Sequence, residues 1–145
     1  MLRVILDTNI VVSATQSRRG ASFAVLSLLP SKYFEIVLTI PLYMEYQDVL
    51  RRPDILKSKY TENEIAGFTR YLAKIAHKQP IYYLWRPWLK DPKDDMVLEA
   101  AFASQAKYIV THNMKDFRGK NIEETMGIVP VSAQEFLEII SEVKL

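Results

Sequence analysis

The sequence predicts an α/β fold, a parallel sheet of about five strands covered by helices, in a single domain over residues 1–145. Three observations lead to it. The run Val4-Ile5-Leu6 has no polar interruption and ends abruptly on Asp7, the pattern of a strand buried on both faces. Strand-like and helix-like segments alternate along the chain, without a repeat, a low-complexity tract or a linker. Ser, Thr, Asp and Pro stand where helices should start or stop.

In chain order, Ile10 to Ala14 opens a helix and Ser17-Arg18-Arg19-Gly20 forms a loop. Phe23, Val25, Leu26, Leu28 and Leu29 suit a buried helix ended by Pro30, and Phe34 to Leu38 is a second strand. Thr39-Ile40-Pro41 starts a helix that runs to about Arg52 and is stopped by Pro53, Pro41 being tolerated in a first turn. Thr61 and Glu64 form a capping box before the one-sided pattern Ile65, Phe68, Leu72, Ile75 and Ala76, which closes at His77-Lys78. Ile81 to Trp85 reads as the third strand, and Asp91-Pro92 opens a helix through Ala106. Tyr108-Ile109-Val110 is the fourth strand and Ile128-Val129 the fifth, with Ser132 and Glu135 boxing the last helix.

A chain of 145 residues supports one proper core and is too short for two ordinary domains. The absence of cysteine excludes a disulfide scaffold, a cysteine nucleophile and a thiolate metal site, and agrees with a reducing cytoplasm. The N-terminal apolar run is too short for a signal peptide or a membrane span, so no membrane role is expected. A net charge of +2 does not by itself indicate nucleic acid; the placement of the basic residues has to do so.

Parallel sheets bind ligands beyond the carboxyl ends of their strands, where strand order reverses. Asp7, ending the first strand, is therefore expected on the floor of a site, although it also suits the cap of the next helix. Glu45, three residues past Leu42 and four before Val49, shares the apolar face of its helix. A carboxylate there is costly unless it is paired with Lys or Arg, protonated, or on a metal. Asp94 and Asp95 stand in the first turn of the helix opened by Asp91-Pro92. Acids there complement the helix dipole, but a helix start that follows a strand puts them on the rim with Asp7. Asp94, three and four residues before Val97 and Leu98, should point inward, and Asp95 more to the side. Asn113 and Asp116 follow the fourth strand onto the same edge, and the lone His112 there suits a solvated or backbone-bonded role. Converging carboxylates raise each other's pKa values, and a hard divalent cation relieves them. Oxygen donors without thiolate favour Mg²⁺ or Mn²⁺ over zinc. Such a cluster suits metal-assisted phosphodiester hydrolysis by an activated water.

Four segments together resemble a known family. They are Asp7-Thr8-Asn9 after a strand, Glu45 within Glu45-Tyr46-Gln47-Asp48-Val49-Leu50-Arg51-Arg52-Pro53, Asp91-Pro92-Lys93-Asp94 before an Ala-rich helix, and Thr111-His112-Asn113 after a strand. In this order, over essentially the whole chain, they resemble the PilT N-terminal (PIN) domain family, in its branch of toxin components of toxin–antitoxin pairs. The resemblance implies a three-layer α/β/α fold and an endoribonuclease for single-stranded RNA that uses one or two Mg²⁺ or Mn²⁺ ions. It puts Asp7, Glu45 and Asp94 at three acidic metal-site positions, and Thr8 and Asn9 at the polar positions beside the first. Asn113 stands at a fourth position that is often Asp in the family. Its amide oxygen can bind a metal or water but carries no charge, and Asp116 is a candidate for the missing carboxylate. A small antitoxin protein and a second copy of the chain, as a homodimer, are the expected protein partners, in the cytoplasm.

Trp85-Arg86-Pro87-Trp88-Leu89-Lys90 leads straight into the acids at 91–95. Arg86 suits a phosphate and Trp88 an unpaired base, while either tryptophan also suits a core or an interface. Arg18 and Arg19 are candidates for the opposite wall, and Thr111 for substrate contact beside Thr8 and Asn9. Arg51 and Arg52 suit the negative end of their own helix. Two alternatives remain. A catalytically silent PIN-like scaffold for RNA binding or oligomerisation is kept open by Asn113. A phosphoacceptor signalling domain would want a phosphorylated Asp on the third strand and a Lys ending a late one, where this chain has Trp85-Arg86 and Thr111-His112-Asn113.

Overall fold

The computed structural model describes residues 1–57, 59–81, 91–117 and 122–144. Its centre is β1 (Leu2–Leu6), whose Val4, Ile5 and Leu6 are fully buried, as an uninterrupted apolar run requires. Strand β1 lies between β2 (Phe34–Leu38) and β4 (Tyr108–Val110), and β3 (His77–Lys78) and β5 (Val129–Val131) form the two edges. All four pairings in the order β3-β2-β1-β4-β5 are parallel.

The chain moves outward from β1 to β2 and β3, then returns to β4 and β5 on the other side. Right-handed crossovers in these two opposite directions place helices on both faces, giving three α/β/α layers. Strand order therefore reverses between β1 and β4, where a parallel sheet opens its crevice. Phosphoacceptor signalling domains of this size place the third strand between the first and the fourth. Here β1 pairs directly with β4, so the topology sets that alternative aside.

Helix α1 (Thr8–Gln16) follows Asp7 directly and packs on α2 (Ala21–Ser27), which in turn packs on α8 (Ala133–Val143). Helix α3 (Ile40–Leu50) starts where the Leu42 N–H donates to the Thr39 hydroxyl at 3.2 Å, and buries the stripe Leu42, Tyr46 and Leu50. It is followed by the short α4 (Pro53–Leu56) and by α5 (Glu62–Ile75), which packs on α3. Both predicted capping boxes form, Thr61 with Glu64 on α5 and Ser132 with Glu135 on α8. Helix α6 (Pro92–Ser104), capped by Asp91, packs on β1, β2 and β4. A 3₁₀ turn (Met114–Phe117) and α7 (Ile122–Met126) connect β4 to β5.

Four boundaries differ from the expectation. Pro53 does not merely stop α3, which ends at Leu50; it opens α4, where its missing N–H is harmless. The third strand is His77–Lys78, not Ile81 to Trp85; Ile81 lies in no regular element, and 82–85 fall outside the described residues. An edge strand pairs on one side only, so it can be short and polar, and a search for apolar runs passes it by. The fifth strand runs to Val131 through Pro130, tolerated because the neighbouring ladder bonds to β4 come from the N–H groups of Val129 and Thr111. The last helix residue before β4 is Ser104, with Gln105 in the left-handed conformation at φ 59. Among the described residues no helix is long and apolar enough to cross a membrane.

Candidate functional site

The floor of the crevice is one hydrogen-bonded clasp between the ends of β1 and β4. The Asp7 N–H donates to the Val110 carbonyl at 2.9 Å, carrying the ladder one residue past the strands. The Asp7 carboxylate then takes two further bonds, from the Thr8 N–H to Oδ1 at 2.8 Å and from the Thr111 hydroxyl to Oδ2 at 2.7 Å. Thr111 is fully buried, and its Oγ1 also accepts the Asn113 N–H at 3.0 Å. Asn9 closes the clasp from α1, its Oδ1 accepting the His112 N–H at 3.3 Å. Asp7 is thus both the cap of α1 and the end of the central strand, so the capping and the chemical readings describe one residue. Burial raises its pKa, the bonds from Thr111 and Thr8 pull it back, Asp116 raises it and His112 lowers it.

Helix α3 supports this floor through a residue that sequence reasoning passed over. Tyr46 is buried, and its hydroxyl donates to the carbonyl of Leu6, the residue before Asp7. Burial and then the Asp7 charge push the Tyr46 hydroxyl pKa well up, so it stays a donor. The one usable signal was the spacing Leu42, Tyr46, Leu50, which marks a buried stripe with a hydroxyl in its middle. Its neighbour Glu45 lies on the shoulder of that stripe, 15% exposed, with Oε1 3.7 Å from the Lys93 ammonium of α6.

Asp94 stands at the rim on the first turn of α6, half-buried, with its pKa raised to about 6. Burial is the largest cause, followed by the charges of Asp7, Asp116, Asp91 and Asp95. Asp95 is not turned to the side; it is 1% exposed and joins the buried face of α6 through Leu98. Asp116 is exposed on the 3₁₀ turn, yet its charge acts on both Asp7 and Asp94.

The family model described as "PIN domain" matches residues 3–115. The chain belongs to the PIN domain family. No curated protein matches it. Among solved structures it is similar to VapBC2 from Rickettsia felis bound to a DNA fragment from their promoter, at TM-score 0.60 and 16% identity over 90% of this chain and 98% of that one. It is also similar to VapBC-1 from nontypeable Haemophilus influenzae, at TM-score 0.61 and 16% identity over 92% of this chain and 99% of that one. At that identity the likeness shows a shared fold.

In this PIN domain the expected site residues divide into three groups. Asp7, Thr8, Asn9, Thr111, Asn113, Asp94 and Asp116 meet at the carboxyl edge of β1 and β4, through the bonds and charges given above. Glu45 reaches that edge from α3 but is turned to Lys93. Arg18 is not brought there: it follows the far end of nine-residue α1, about 14 Å along the axis from Asp7, and lines an apolar groove with Phe23, Leu26, Tyr60 and Phe68. Arg86 and Trp88 lie outside the described residues. Arg52, two residues past the end of α3, pairs with Asp48 of that helix at 3.3 Å.

The donors at this edge suit a hard divalent cation. They are oxygens only, and Asp94 carries a pKa raised by burial first and then by four neighbouring carboxylates. Among the described residues, however, no three acids already stand where one ion could share them.

Proposed function

We propose that this PIN domain is a Mg²⁺- or Mn²⁺-dependent endoribonuclease that cleaves single-stranded RNA, acting as the toxin of a toxin–antitoxin pair. The observation that carries the reading is the gathering of Asp7, Asp94 and Asp116 at the strand-order switch, where burial first and then the neighbouring acids raise Asp94 to about 6. Acids kept in mutual repulsion at a ligand-binding edge make sense when a cation completes them.

In this reading Asp7 and Asp94 hold the metal with Glu45, and Asp116 adds charge near a second position that Asn113 leaves neutral. Bound there, the ion supplies charge neutralisation on the phosphoryl oxygens and a more acidic water as nucleophile. The chain itself supplies orientation. Thr111 fixes one Asp7 oxygen and the Thr8 N–H fixes the other, so the carboxylate meets its ligand with little reorganisation. Thr8 and Asn9, half-buried at the start of α1 beside Asp7, are the proposed substrate contacts. Arg86 and Trp88 remain proposed contacts for a phosphate and a base. A small antitoxin partner and a homodimer are supported by the likeness to two VapBC structures, and the cytoplasm is the compartment this reading assigns.

One observation favours the catalytically silent alternative, namely that no three acids are grouped for an ion among the described residues. The separating experiment is cleavage of single-stranded RNA by the purified chain with Mg²⁺, Mn²⁺ or EDTA. The nuclease reading expects metal-dependent products that Glu45→Gln eliminates. RNA binding without cleavage at any metal concentration would establish the scaffold instead.

A further inference from the structure

At Glu45 and Lys93 the acidic edge meets a cation across two helices. Glu45 comes from the middle of α3, and Lys93 is the second residue of α6, immediately before Asp94. Their charged atoms stand 3.7 Å apart, with Glu45 15% and Lys93 57% exposed. The glutamate is therefore largely desolvated, while the lysine head remains in water. The Lys93 backbone is independently fixed, because its N–H donates to Asp91 Oδ1 at 2.9 Å in the cap of α6. The ammonium can thus change partner at the end of its flexible stem without disturbing the helix.

We propose that Lys93 is an exchangeable counter-ion for Glu45. Without metal it neutralises the one site acid that lies on an apolar helix face. When a divalent cation binds, the cation takes Glu45, and the released ammonium turns to a phosphate of the RNA. This rests on the nuclease reading and deepens it, since it assigns a substrate contact to a residue beside Asp94. It also fits the ungrouped acids, since Glu45 faces Lys93 and no three acids among the described residues stand grouped for an ion. The exchange suits a part-exposed pair, because such pairs are weak enough to be displaced. The metal-bound carboxylates and the RNA phosphate then each have a cation, and Glu45 is left without one at no stage.

The test is a Mn²⁺ titration of the full chain, read as thermal stabilisation and by calorimetry, for the parent, Lys93→Met, Lys93→Arg, Glu45→Gln and the double variant Glu45→Gln/Lys93→Met. Removing the competitor should lower the half-saturating Mn²⁺ concentration about two- to five-fold in Lys93→Met, the scale of a part-exposed ion pair. Lys93→Arg should stay near the parent. In the Glu45→Gln background, Lys93→Met should change nothing, because the contested carboxylate is gone. The same variant should raise KM for single-stranded RNA, and raising the salt should shrink that difference. Unchanged or weaker Mn²⁺ binding in Lys93→Met overturns the exchange. So does an equal gain in the Glu45→Gln background, which would reveal only a general field of the lysine. A parent that binds no Mn²⁺ removes the nuclease reading itself, and the exchange falls with it.

Discussion

On the β1–β4 side of the acidic edge, Asp7 is 8% exposed and both its oxygens accept hydrogen bonds at 2.7 and 2.8 Å. On the α3–α6 side, Glu45 meets a lysine that is 57% exposed at 3.7 Å. The first half is built by adjacent strands, whose ladder continues into the site through the Asp7 N–H and the Val110 carbonyl. The second half is built by two helices that touch only through side chains at this point. One half is a fixed floor and the other an adjustable wall, and substitutions should act accordingly: floor variants change what the site is, wall variants change how easily it closes.

The largest effect is expected for Asp7→Asn. It keeps the shape of the clasp but removes a charge at the centre of the floor. Metal-dependent RNA cleavage should fall by far more than the about 10–100-fold typical of a supporting residue. The metal-free protein should unfold at nearly the parent's temperature, or above it, since burial makes the Asp7 charge unfavourable. A large loss of thermal stability without metal would return Asp7 to a purely structural cap.

Next is Thr111→Val, which retains shape and removes the hydroxyl that donates to Asp7. Two groups then lose a partner, Asp7 Oδ2 and the Asn113 N–H. Unfolding free energy should drop by about 1–3 kcal/mol, as for an unsatisfied buried acceptor. Mn²⁺ affinity should weaken about 10–100-fold, as for loss of a partner that orients a metal ligand. If affinity holds while stability falls, Thr111 serves the sheet and not the site.

The place of these two residues at the carboxyl ends of β1 and β4 was legible in the sequence, but Thr111, expected to contact substrate, is fully buried against Asp7 instead. Asp7 could be read because an apolar run ending on an acid has few other meanings in a parallel sheet, and the helices were legible from their caps at Thr39, Thr61, Asp91 and Ser132. Each of these signals is local: a donor, an acceptor and a fixed spacing. The contribution of Tyr46 was not legible, since its hydroxyl meets the Leu6 carbonyl across 40 residues of sequence. Nor was the pairing of Glu45 with Lys93, which depends on two helices meeting. His77–Lys78 was missed for a different reason, because an edge strand need not be apolar. The sideways assignment of Asp95 failed because that residue, three before Leu98, is the more buried of the two acids in the first turn of α6.

A smaller effect comes from pH. Asp94 has its pKa raised from 3.8 to about 6, so its native charge is a penalty above about pH 6. That penalty eases as pH falls through about 6 and is gone below 3.8, where the side chain is protonated folded and unfolded alike. The shift at Asp7 has the same sign. The metal-free protein should therefore gain thermal stability between pH 7 and 5 from these acids, modestly because Asp94 is only half-buried. Asp94→Asn should flatten that gain. With Mn²⁺ present the trend should reverse, since the ion needs the carboxylate and its stabilisation should fade below about pH 6. A parent and an Asp94→Asn protein with identical pH profiles would remove Asp94 from the cluster.

The smallest expected effect separates Asn113 from Asp116. Asn113 is exposed and is tied to the floor by its backbone N–H on Thr111 Oγ1, a bond that any residue but proline could make at this position. Asp116 is also exposed, but its charge reaches both Asp7 and Asp94. If a second ion is held near them, Asp116→Asn should raise the metal concentration for half-maximal RNA cleavage. Asn113→Asp should lower it, because the added carboxylate faces the same edge. Both shifts should be a few-fold at most, as befits exposed charges screened by solvent. They should be larger with Mg²⁺ than with Mn²⁺, which binds a given oxygen set more tightly. Metal titrations of cleavage by the parent and both variants decide the matter. A shift for Asp116→Asn alone would make that residue the charge that compensates for the neutral Asn113. Three coincident curves would mean that neither residue helps to hold an ion, leaving Asp7, Glu45 and Asp94 with a single metal.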